Sequence, residues 1–131
     1  MRNKLCLSTV EVRAIVAACK AKAEELGQQG TIAVVDEDGD LLYLERPDNQ
    51  SPHTVLMATG KARTAAVRAR PTVALEERVK ERPGYITYPE GLAVRGGVPV
   101  FYEVACVGGV AVSGISKDDE VVAQAGADAV G

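Results

Sequence analysis

An α+β domain, an antiparallel sheet of about five strands flanked by helices, is the fold this sequence predicts, and three observations predict it. A helix-start signal followed by a stripe of apolar residues fills the first 26 residues. Two short β-branched runs come next, joined through an Asp-Gly turn. The same order, helix then paired strands, recurs before the C-terminus. Strands that arrive in pairs between helices indicate hairpins, because a doubly wound parallel sheet alternates single strands with single helices. The 131 residues suit one domain, residues 1–131.

Ser8-Thr9-Val10-Glu11 is a capping box, so a helix begins at about residue 9. Val12, Ile15, Val16, Cys19, Ala23 and Leu26 then recur three and four apart until Gly27 supplies a left-handed stop. Thr31 to Val35 and Leu41 to Arg46 read as a hairpin turning at Gly39. Ser51-Pro52 resembles a cap and first helical position, opening a second helix from His53 that Pro71 closes. Its face of Ala58, Ala62, Ala65, Ala66 and Ala69 is smooth, suited to close packing on a sheet or on another subunit. Gly60 within it costs about 1 kcal/mol relative to Ala. A short third helix, Val73 to Lys80, follows Thr72 as its cap. Val98 to Val104 and Ala105 to Ser113 are two further strands, and an extra short strand is expected near Leu92 to Val94. Gly108-Gly109 marks either a bulge or a close backbone approach. Ser116-Lys117-Asp118-Asp119 should cap a last helix with Val121, Val122, Ala125 and Ala129 inward.

Composition narrows the function classes. A formal charge of −3 supplies no broad positive field, which argues against nucleic acid as a partner. Nowhere do about 18 apolar residues run together, and the start of the chain lacks a signal-peptide pattern. No membrane partner is expected, and the expected location is the cytoplasm. Three widely spaced cysteines, Cys6, Cys19 and Cys106, with no CxxC, suit neither a disulfide framework nor a zinc site. Cys19 and Cys106 read as core atoms.

Few residues carry chemistry. Asp36, Asp38 and Asp40 suggest a calcium loop, but Leu41 and Pro47 stand where the loop needs Gly and a bidentate Glu, so hairpin solvation is the better account. The single imidazole, His53, could ligate iron, move protons or simply begin a helix. In the basic run from Lys61 to Arg70, Lys61 with Arg68 and Arg63 with Arg70 recur seven apart; the run is either a solvated surface or a source of partners for a ligand carboxylate. The segment Pro83 to Gly97, with two prolines, four glycines and two tyrosines, is the candidate site segment.

With these pieces placed, the chain resembles the GlcG/HbpS-like family, also described as the haem-degrading domain family and as the C-terminal domain of some PduO proteins. The resemblance spans nearly the whole chain and rests on IAVVDEDGDLLYLERPD at 32–48, PHTVLMATGKARTAA at 52–66, GLAVRGGVPVFYE at 91–103 and VGGVAVSGISKDDEVVAQAG at 107–126. It implies a profilin-like or roadblock-like α-β-α arrangement and a homo-oligomer, often an octamer. It also implies a small-molecule pocket that in several members takes haem or another tetrapyrrole. Carried over by motif, His53, Lys61, Gly96, Gly97 and Pro99 are the positions of interest. This chain has Val94-Arg95-Gly96-Gly97 where a PGG-type loop is common, which places a cation at the pocket mouth and favours an anionic ligand.

Three functions are consistent with this. The first is an accessory protein binding haem, with His53 as axial metal ligand and Lys61 or Arg95 meeting propionates beside Gly96 and Gly97. The second is a cofactor-free isomerase, tautomerase or hydrolase for a reactive anionic intermediate of organic-acid or aromatic catabolism. There Arg95 and Lys61 would bind carboxylate while the catalytic Glu90 or His53 moves protons. The third is a structural partner of a catabolic enzyme.

Overall fold

The computed structural model describes residues 1–130. Helix α1 (Thr9–Glu25) starts at the Ser8 capping box, where Glu11 accepts the Ser8 amide at 3.0 Å. That bond, with a second from the Ser8 hydroxyl, holds the Glu11 carboxyl below its usual value. Gly27, at φ +70°, ends the helix. Strands β1 (Thr31–Asp36) and β2 (Leu41–Glu45) form the expected hairpin, followed by α2 (His53–Arg68) and α3 (Thr72–Glu81). After a segment that opens with a 3-10 helix (Pro83–Thr87) come β3 (Gly97–Tyr102), β4 (Ala105–Ser113) and α4 (Asp119–Ala127). No described helix is long and apolar enough to cross a membrane.

The sheet runs β2-β1-β4-β3 with every neighbouring pair antiparallel, so β1 and β4 are central. Its two faces differ in side-chain size. Ile32, Val34, Val98, Val100, Val110 and Val112 point toward α1 and α4 and build the main core with Ile15, Cys19 and Val122. The other face carries Ala33, Val35 and Ala111, on which Ala58, Ala62 and Ala66 of α2 lie. Small residues on both sides let α2 lie close to the sheet. At Gly109 a side chain would run into the Ala62 carbonyl oxygen, so the glycine pair marks a close approach. The bulge falls one step along, between Val100 and Phe101.

The sheet has four strands rather than about five. Leu92 to Val94 forms no strand; Leu92 packs against α2 instead. The Leu92 amide donates to the Thr64 hydroxyl at 2.9 Å, and its side chain covers Gly60. Three smaller expectations also change. Ser51 does not cap α2 with its hydroxyl, which is bonded to His53 instead. Thr72 does not cap α3; its hydroxyl is turned onto Gly97. In α4 the inward residues are Val122, Ala123, Gly126 and Ala127, with Val121 and Ala129 exposed. The phase shifts because Asp119 begins α4 pointing into the protein, so the stripe is counted from a buried acid.

Candidate functional site

Helix α2 organises the residues singled out in the sequence. His53 stands exposed at its first position, with Nδ1 2.8 Å from the Ser51 hydroxyl. Just behind it Thr54 and Thr31 join their hydroxyls at 2.8 Å in the interior, which ties the start of α2 to the sheet.

Lys61, two turns further on, is 1 % exposed. Its ammonium donates to the Val112 carbonyl at 2.6 Å and to Asp119 Oδ2 at 3.3 Å. Asp119 Oδ1 meanwhile accepts the Ile115 amide at 2.7 Å. The lysine thus reaches past the start of β3 and links α2 to the first residue of α4 on the other face of the sheet. Burial pushes the Lys61 ammonium below its ordinary value, and Asp119 pulls it back.

Gly96 and Gly97 make that path possible. A side chain at Gly96 would collide with the Lys61 ammonium, and one at Gly97 would collide with the Lys61 carbonyl. Thr72 clamps the same spot, its hydroxyl accepting the Gly97 amide at 3.0 Å. The glycines therefore bring backbone against Lys61. Pro99 sits on β3, an edge strand, where a missing amide hydrogen is tolerated.

Glu90 and Arg95 are exposed and separately partnered. Glu90, at φ +53°, pairs with Arg63 at 3.3 Å. Arg95 directs both its amide and Nε to Glu76, at 3.4 and 3.3 Å. Within one protomer the structure thus joins Lys61 with Gly96 and Gly97, and leaves His53, Glu90 and Arg95 in three different places. Ten residues of helix separate His53 from Arg63, the partner of Glu90, or about 15 Å.

The remaining candidates are simpler. Asp36, Glu37 and Asp38 cluster in the hairpin turn, yet Asp36 Oδ1 accepts the amides of Asp38 and Asp40 at 2.9 Å each and so serves the turn. All three cysteines are free. Burial raises the Cys19 thiol to about 12, while Cys106 is half-buried with its thiol donating to the Gly108 carbonyl at 3.4 Å. A cleft of about 730 Å³ lies between the end of α1 and the strands, bordered by Lys20, Glu24 and Glu45. Lys20 and Glu45 close on one another there at 2.6 Å. A groove of about 550 Å³ runs along Arg82, Tyr85 and Tyr88.

Sequence reasoning missed Asp119 and Thr72 as groups that fix the glycine segment. Both are polar residues at helix starts, where capping is the ordinary reading, and only the tertiary fold supplies the buried partner.

Comparison with known proteins places these features in a family. The model for the haem-degrading HbpS-like proteins matches residues 7–128. Protein GlcG of Escherichia coli K12 is 38% identical over 114 residues, covering 86% of this chain and 85% of that protein. The crystal structure of a double mutant of Streptomyces reticuli HbpS superposes with a TM-score of 0.92 at 32% identity, covering 100% of this chain and 91% of that one. A PduOC–haem complex shares the fold, with a TM-score of 0.84 at 22% identity over 96% of both chains.

Proposed function

The chain belongs to the HbpS-like family of haem-degrading proteins, and on that premise we propose that it is a small-ligand-binding protein whose ligand is haem or a related tetrapyrrole. The ligand is held in a homo-oligomer and ligated at His53. The observation that carries this reading is the state of the chain's one imidazole. Its Nδ1 is fixed by Ser51 at 2.8 Å, and no hydrogen bond engages Nε2 among the described residues. When Nδ1 keeps its proton by donating to the hydroxyl, Nε2 presents a bare lone pair to an incoming metal. One helical turn on, Leu56 is 75% exposed and offers the apolar surface that a flat macrocycle needs. The neighbour solved with haem has the same fold, which lends the reading support from outside this chain.

The cations divide their roles on this reading. Arg95, exposed beside Glu76 and apart from His53 within one protomer, meets a propionate from the second copy. Lys61 is spent inside the protein, so its part is to hold the Gly96–Gly97 backbone in place. A single protomer supplies His53 and Leu56 and leaves the opposite side of the ligand uncovered; a second copy completes the site.

Haemin titrated into the untagged protein at fixed subunit concentration tests this. A saturable Soret band that His53→Ala abolishes is the expected result; the exposed position of His53 leaves the fold intact, which circular dichroism checks. A flat titration, or a band unchanged in His53→Ala, overturns the assignment.

A further inference from the structure

At the other end of α2, guanidinium and phenol groups gather in a way that haem binding at His53 does not use. The Arg68 guanidinium lies 5.3 Å from the Tyr88 ring centre. Arg78 and Arg82 lie 5.1 and 5.5 Å from the ring of Tyr85. The two tyrosines border the groove of about 550 Å³, with Pro83 and Pro89 as apolar walls. Three cations from α2, α3 and the residue after α3 thus converge on one short segment.

The hydrogen-bonding capacity of Arg68 and Arg82 is largely unspent. Stacking on a ring occupies the face of a guanidinium and leaves its in-plane N–H donors free. Among the described residues only Arg78 has an acidic partner, Glu81 at 3.6 Å and well exposed. Arg68 Nη1 is fully buried with no acceptor. A buried donor without an acceptor is costly, so an oxygen that reaches it is favoured. The cluster acts on the phenol it surrounds: a hydrogen bond from Arg78 first, then the charges of Arg78, Arg82 and Arg68, holds Tyr85 below its ordinary value.

We propose that Arg68, Arg78 and Arg82, with the Tyr85–Tyr88 groove, form a binding site for a small organic dianion whose oxyanion groups are carboxylate or phosphate. The fork of each guanidinium matches two oxygens of either group, and the tyrosine and proline walls take a short carbon skeleton. This is not the His53 site. Fifteen residues of helix separate His53 from Arg68, or about 22 Å along the axis.

The test is a chemical-shift titration of the full chain, 15N-labelled, with succinate, with inorganic phosphate and with chloride at constant ionic strength. Saturable movement of the Tyr85, Thr87 and Tyr88 amides with succinate or phosphate, the His53 amide staying still, is expected. Which of the two saturates at lower concentration names the oxyanion. Binding should weaken by roughly tenfold in Arg68→Gln and in Arg82→Gln, and recover in part in Arg82→Lys. Arg82 is exposed, so its variants keep the fold even if Arg68→Gln does not. Shifts no larger than those from chloride, or equal affinity in Arg82→Gln, overturn the proposal. Haemin binding is read separately at the Soret band, so failure of one site is distinguishable from failure of the other.

Discussion

At the scale of single residues the pair Lys61–Asp119 dominates, because a buried ammonium is costly and this one is answered by one carboxylate and one carbonyl. Removing one member of a buried pair leaves the other uncompensated, typically at about 3–5 kcal/mol. Asp119→Asn is therefore expected to lower the urea midpoint by an amount worth about 3 kcal/mol at neutral pH. The sign of its pH dependence follows from Lys61, whose folded value lies below the unfolded one. Between the two, unfolding takes up a proton, so the lysine's contribution to stability rises with pH until it levels off near the unfolded value of about 10.4. Losing Asp119 lowers the folded value further, and the deficit of Asp119→Asn should shrink as the pH is raised from 7 toward 10 and the lysine gives up its charge. Urea unfolding at both pH values checks this; a deficit that grows with pH would mean that the ammonium is not what Asp119 compensates.

At the scale of elements, what matters is how closely α2 approaches the sheet. Gly109 faces the Ala62 carbonyl from β4, and Gly97 faces the Lys61 carbonyl from the edge strand, so at either place an added methyl meets rigid backbone rather than a side chain that can swing away. Overpacking of this kind costs about 1–3 kcal/mol. Gly109→Ala should lower the thermal midpoint, whereas Gly84→Ala, with open space around it, should leave it nearly unchanged. Equal midpoints for the two variants would show that α2 can move off the sheet at no cost. The helices and the two hairpins were legible because their signals are local: the Ser8–Glu11 box, the Gly27 stop, the turn at Gly39. The β-strand expected at Leu92 was wrong because its apolar character serves contact with Gly60 of α2, which no local pattern reveals. Lys61 stayed hidden for a related reason. In sequence it is one of four cations in a run, and it is the one that is fully buried, with the Gly96–Gly97 backbone packed against it.

At the scale of the whole molecule, the smooth alanine face of α2, which in the sequence could have served a sheet or a second subunit, is occupied by the chain's own sheet: Ala58, Ala62 and Ala66 are buried against it. An interface between copies has to use what α2 leaves outside. Leu56 is 75% and Val67 54% exposed, and eleven residues apart they share one side of the helix about three turns from each other. Isolated exposed apolar residues are ordinary, but two on one helix face, one of them a turn from His53, make this face the place where a second copy would cover both the helix and the ligand. The joint variant Leu56→Lys, Val67→Lys should then run by light scattering at the single-chain mass of 13.8 kDa while the parent chain runs at a multiple of it. Haemin affinity should fall together with the mass, since the covering subunit is lost and Leu56, the apolar surface beside His53, changes with it. A parent-sized assembly that survives the double substitution would put the interface on another surface, and a parent chain already at the single-chain mass would leave His53 and Leu56 to hold the ligand without a second subunit.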